Sequence, residues 1–157
     1  MTNNSAVKIY PLRFQFFPIL DEEPDNIKDF DGWNNIFRIT NLAEECQICR
    51  KEFNSLNQVN IHLNWYFKQG MENIQRLANI IPICSRCHKT IHANLCPNEY
   101  YDNVLKYYSF INKVSIKKAE EEYSSAISLY NKYLKINWKL DIYSVYEIID
   151  RLNSIEI

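Results

Sequence analysis

Two pairs of cysteines, Cys46 with Cys49 and Cys84 with Cys87, have the C-x-x-C spacing that lets one tight turn aim two sulfurs at a single ion. Zinc takes four tetrahedral ligands, so the turns CQIC and CSRC together complete one structural zinc shell. The competing reading is four buried free thiols, since cysteine is among the most buried residue types. The fifth cysteine, Cys96, lies outside both pairs and reads as a core residue.

The chain has only three histidines, His62, His88 and His92. His88 and His92 stand one helical turn apart, the spacing that places two side chains on one face. Because Cys87 directly precedes His88, the zinc turn would fix the start of the helix that carries the pair. His62 would then face them across a strand–helix gap. Three converging imidazoles leave positions open for water or a phosphate oxygen, which is the arrangement of a catalytic metal site. The cation would be Mg2+, Mn2+, Ni2+ or Zn2+. In the competing arrangement His62 lies on the surface, His88 caps a carbonyl and His92 is a spare ligand for the cysteine-bound zinc.

The elements that must position these residues follow from periodicity. Gln58 to Asn64 alternates strictly, with Val59, Ile61 and Leu63 on one face and Asn60, His62 and Asn64 on the other, which predicts a half-buried strand. After a loop around Lys68, Gln69 and Gly70, the β-branched run Ile80 to Ile83 predicts a second strand that turns at Cys84 into a helix through HKTIH. Upstream, RFQFF reads as an extended arm, DEEPD as an acidic loop, and Asp29 to Asn41 as a short amphipathic helix. Downstream, Tyr100, Val104, Tyr107 and Tyr108 form one helical stripe, and Ile116 to Leu134 carries a longer one with Ser115 as its N-cap. Ser144 and Glu147 have the spacing of a capping box and would open a last helix. The expected fold class is α+β, read as one domain over residues 1–157. Its parts are an arm and helix (1–43), a zinc-clamped core (44–95) and a helical extension (96–157).

A hydrophobic content of 46% over 157 residues suffices for one real core. No apolar run of about 18 residues occurs, and MTNNSAVKIY lacks the basic-then-apolar order of a secretory signal. A cytoplasmic protein that does not enter a membrane is expected, and that setting favours metal over disulfides. A net charge of −1 withholds the broad positive field of a non-specific nucleic-acid binder, so any such contact must be local. Candidates for phosphate contact are Arg50, Lys51, Lys68, Arg76, Arg86 and Lys89, opposed by Glu44, Glu45, Glu52 and Glu72. The tyrosines between 100 and 134 read as packing residues rather than a base-stacking platform. Oligomeric state has no signature in the sequence.

In this order, CQIC, NIHLNW and LANIIPICSRCHKTIH resemble the HNH endonucleases of the zinc-knuckle type. Some bacterial HNH proteins also share a His-x-x-Trp step, here His62 to Trp65, and a helical tail similar to VSIKKAEEEYSSAISLYNKYLKINWKLDI. The resemblance thus covers most of the chain, loosely at its start. It implies a ββα-metal core with a four-cysteine zinc clamp, a second divalent cation, and hydrolysis of phosphodiester bonds in DNA. Carried over residue by residue, Asn79 matches the asparagine that pins the loop holding the catalytic strand, and His88 matches the last histidine of the motif. His62, His88 and His92 match the metal ligands, so the implied catalytic set is His62, Asn79 and His88.

The departure is Leu63, where the family has a histidine acting as general base. Leucine cannot take a proton, and neither can Asn64. With the register shifted by one, His62 would be the base and Ile61 would stand where a ligand is needed, leaving two histidines on a weak site. A cation lowers the pKa of the water it holds, so slow hydrolysis can survive a missing base that is worth roughly 10²- to 10⁴-fold. Two functions follow: a metal-dependent nuclease with impaired catalysis, or an inactive HNH-derived zinc module that binds nucleic acid or a protein partner. A third, a purely structural zinc module, requires the histidines to be apart in space.

Overall fold

The computed structural model describes residues 11–16 and 43–153. The acidic loop and the helix expected over Asp29 to Asn41 lie outside the described residues. The core is a β-hairpin followed by a short helix: β1 (Val59–Lys68), β2 (Ile74–Cys84) and α1 (Ser85–Ile91). Then come α2 (Tyr101–Asn112), α3 (Ile116–Tyr133), β3 (Lys139–Asp141) and α4 (Ile142–Asn153). β1 and β2 are antiparallel and β3 adds to β2 in parallel, giving the order β1-β2-β3. This mixed α+β architecture contains the expected ββα core.

Both strands are longer than periodicity alone predicts. β1 runs on through Trp65 to Lys68, and β2 starts six residues before Ile80, at Ile74. The strict alternation breaks where the register shifts between Asn64 and Trp65: Asn64 pairs with Asn79, but Trp65 pairs with Leu77. Ala78 is the extra residue of a bulge, which re-aims the side chains beyond it and hides the strand from a period-two reading.

The face of β1 that carries His62 is covered rather than exposed. His62 is 3% accessible, and its cross-strand partner Ile81 is equally buried. The main core joins Ile81, Ile83, Cys46, Cys87, Leu105 and Tyr108 with Leu12 of the N-terminal arm. On the other face, Ile61, Leu63 and Trp65 pack against Leu77 together with Val145 and Ile148 of α4. Leu63 is thus a packing residue.

The arm, residues 11–16, is laid across α2 and α3. Phe14 stacks on Tyr108 at 4.2 Å and meets Tyr123 edge-on, and Phe16 is buried beside Ala93 and Val104. Asn112 donates to the Leu12 carbonyl at 3.0 Å. Burying each such phenylalanine contributes about 1.5–3 kcal/mol toward the entropic cost of ordering this short segment. α3 begins as expected, with the Ser115 hydroxyl accepting from the Lys118 amide at 3.1 Å.

The capping box expected at Ser144 and Glu147 does not form. The helix already begins at Ile142, and Ser144 is buried inside its first turn. The Ser144 hydroxyl instead donates to the Asp141 carbonyl at 2.6 Å and accepts from the Leu77 amide at 2.9 Å. The Leu77 N–H, beside the bulge, recruits the hydroxyl, while Glu147 is drawn to Arg76 at 3.2 Å. Ser144→Ala should therefore leave a buried amide without an acceptor and cost about 1–3 kcal/mol in guanidinium unfolding. Glu147→Gln, which loosens an exposed ion pair, should cost less than about 1 kcal/mol in the same measurement.

Candidate metal centres

The two C-x-x-C turns meet. The first sits in a miniature hairpin in which the Cys46 amide donates to the Lys51 carbonyl, the Arg50 amide to Cys46, and the Phe53 amide to Glu44, all at 2.8–2.9 Å. Closing this turn puts Arg50 in the left-handed region at φ 64°, and the Gln47 amide docks the hairpin onto β2 through the Pro82 carbonyl at 3.1 Å. The second turn is the junction of β2 and α1, where Cys84 is the N-cap and its sulfur accepts from the Cys87 amide.

The four sulfurs lie within 4.8 Å of one another, and Cys49 and Cys84 are 3.7 Å apart. A tetrahedral zinc with about 2.3 Å bonds needs sulfurs about 3.8 Å apart, so the donor set fits a zinc ion. None of the cysteines is paired in a disulfide. Crowding splits their proton affinities: contact with Cys84, then burial, pushes Cys46 up to about 11, whereas hydrogen bonds from Cys46 and Cys87 pull Cys84 down. Cys87 is pushed up by its contacts with Cys46 and Cys84 and by burial. Such a set can ionise together only around a cation. Tyr107 reaches the Cys87 sulfur at 3.3 Å, which ties α2 to the cluster. Cys96 is half-buried, outside this cluster, with its sulfur 3.7 Å from the Lys89 carbonyl.

His88, the residue after Cys87 in α1, and His92, the C-cap residue just past the end of that helix, face His62 of β1. Ring centroids are 5.7 Å apart for His62 and His88, 5.2 Å for His62 and His92, and 5.0 Å for His88 and His92. Each ring offers one nitrogen within 4.8 Å of the others, and the donor set suits a divalent cation with open positions. Burial, then the neighbouring His92 and His88, lowers the His62 pKa to about 3. Burial and His88 lower His92 to about 4, against a hydrogen bond to the Gln15 main chain, and burial lowers His88. The three rings are therefore neutral near neutral pH, the state a metal ligand requires. A surface position for His62 is ruled out by its burial.

Asn79 lies in the middle of β2, directly opposite Asn64 and on the histidine face of the hairpin, with its buried Oδ1 lacking a hydrogen-bond partner. Leu63 points away from the histidines, into the cluster against α4. The basic candidates divide. Arg50 pairs with Glu45 at 2.5 Å, and Arg76 with Asp141 at 3.5 Å and Glu147 at 3.2 Å. Lys51 and Arg86 line a cavity of about 490 Å³ that also reaches Cys49 and Cys84, with the Arg86 guanidinium 4.1 Å above the Tyr107 ring. Lys68 and Lys89 are exposed.

Residues 46–94 match the HNH endonuclease family model. The matched segment spans both cysteine pairs, the hairpin and all three histidines. No curated protein and no solved structure matches the chain. Among the described residues no helix is long and apolar enough to cross a membrane.

Periodicity and motif spacing missed Gln15. Its side chain meets His62 at 2.9 Å and Asn64 at 3.0 Å, from a segment far from the HNH motif. The available signal was the alternation Phe-Gln-Phe, since an extended run with aromatics on one side turns its polar residue to the other.

The histidine pKa values carry a pH consequence. An unfolded histidine titrates near 6.5, so below that pH the unfolded chain binds more protons than the folded one, and stability falls as pH drops toward about 4. His92→Gln should flatten this slope by up to about 1.4 kcal/mol per pH unit between about pH 6.5 and 5. Urea unfolding of both proteins, each loaded with one zinc per chain, across that window checks it, because the cysteine contribution cancels. Equal slopes would contradict the assignment.

Proposed function

We propose that this protein is a metal-dependent nuclease of HNH type that hydrolyses phosphodiester bonds in DNA. The observation that carries the reading is the convergence of the chain's three histidines, one from β1, one from α1 and one from its C-cap, beside a separate four-sulfur cluster. The cysteines would hold a structural zinc. The histidines would hold a second divalent cation, which when bound polarises the scissile phosphate and lowers the pKa of water.

The chain's own groups then have distinct tasks. His62 and His92 stay neutral through burial, so their lone pairs are available without proton release. His88 enters from the first turns of α1, whose start the cysteine cluster holds. Asn79 backs the histidine strand from β2. Lys51, Arg86 and Lys89 would be the phosphate contacts in this reading, because Arg50 and Arg76 are engaged by carboxylates. In this reading the arm and helical extension belong to the same domain as the HNH segment, supported by a core that Leu12, Cys87 and Tyr108 share. A cytoplasmic location would keep the thiols free for zinc.

Leu63 favours a second reading, a binding module without turnover. It faces α4, so no general base stands next to His62 on the strand, and the loss of such assistance costs roughly 10²- to 10⁴-fold. Incubation with supercoiled plasmid and Mg2+, Mn2+, Ni2+ or Zn2+ separates the two. Slow metal-dependent nicking that disappears in His88→Ala is the expected result, whereas nicking that persists in His88→Ala would contradict a histidine-held cation. DNA retention without nicking under every cation would favour the binding module. Leu63→His should restore nothing, because the new imidazole would be buried against Leu77 and Val145, away from the other histidines.

A further inference from the structure

We propose that Gln15 is the positioning residue of the histidine cluster: its side-chain oxygen holds the Nε2–H of His62, leaving Nδ1 as the nitrogen offered to a cation. The inference rests on the histidine cluster being a metal site and assigns the tautomer in which that site operates.

Gln15 is fixed at both ends of its amide. Oε1 lies 2.9 Å from His62 Nε2, and Nε2 donates to Asn64 Oδ1 at 3.0 Å, so one side chain bridges two residues of the same β1 face. Its main chain is fixed as well, with the amide donating to the Ile91 carbonyl at the end of α1 at 2.9 Å. Gln15 thereby spans the strand and the helix that supply the three histidines. The flanking residues make this rigid: Phe14 stacks on Tyr108 and Phe16 is buried, so alternation turns Gln15 toward the histidines.

A ring nitrogen that donates a proton to an amide oxygen has no lone pair left for a metal, so a His62 held in this way can serve the cluster only through Nδ1. Asn64 sets the direction. With its oxygen receiving the Gln15 amide, the Gln15 oxygen must face His62. The reversed chain, with Asn64 donating, would put the imidazole proton on Nδ1, pointing it where the cation belongs. At 3% accessibility His62 has little room for water to replace the amide. Partners of this kind are worth roughly 10- to 100-fold in metal affinity.

The test uses the full-length, zinc-loaded protein at neutral pH, with long-range ¹H–¹⁵N spectra reporting the His62 tautomer and Ni2+ titration calorimetry reporting the second site. The expected result is an Nε2–H tautomer in the natural protein. Gln15→Glu, which keeps an acceptor, should preserve it, and Gln15→Leu should lose it with a roughly 10- to 100-fold weaker Ni2+ affinity. An Nδ1–H tautomer in the natural protein would overturn the proposal even if Gln15→Leu did not fold, as would unchanged tautomer and affinity in Gln15→Leu. Absence of Ni2+ binding in the natural protein would instead sink the metal-site reading, while the tautomer would still decide the role of Gln15.

Discussion

Four sulfurs confined within 4.8 Å of one another form a cluster that can ionise together only around a cation. That constraint organises the segment that matches the HNH family model. Cys46 and Cys49 come from a small hairpin docked on Pro82, and Cys84 and Cys87 are the last residue of β2 and the first turn of α1. Joining them fixes where α1 begins and, through the 3.6-residue repeat, where His88 and His92 point. A shift at the sulfur cluster would turn both rings away from His62. Tyr107 extends the same restraint to α2, on which the N-terminal arm lies.

The histidine centre depends on a second condition, the burial of His62. α1, α2 and the arm cover the His62 face of β1, and α4 covers the other, so a hairpin with an alternating sequence is enclosed on both sides. Burial keeps the imidazoles neutral and shields them from protons that would compete with a metal. Two of the arginines in the matched segment spend their charge on neighbouring carboxylates.

Features that obey a fixed spacing were legible in the sequence. The C-x-x-C pairs, the one-turn step from His88 to His92 and the Ser115 cap each follow from local geometry, and each is found where that geometry puts it. Features decided by a distant partner were not. Ser144 has the spacing of a cap, yet it lies inside α4 because the Leu77 amide beside the bulge needs an acceptor. β2 begins well before its apolar run, as pairing with β1 and β3 outweighs its polar start. Arg50 and Arg76 carry the charge of phosphate contacts, but Glu45, Asp141 and Glu147 meet them first. Gln15 stands in an aromatic run remote from the motif, and only the packing of Phe14 and Phe16 brings it to His62.

The central claim is that two chemically different metal centres stand side by side, one of sulfur and one of imidazole. Zinc X-ray absorption with metal analysis, on protein equilibrated with zinc and then freed of excess, tests it most directly. The account predicts a four-sulfur shell together with a separate nitrogen and oxygen shell, the second disappearing in His88→Ala while the first is unchanged. A sulfur shell alone in the natural protein, or a single mixed shell, would contradict it.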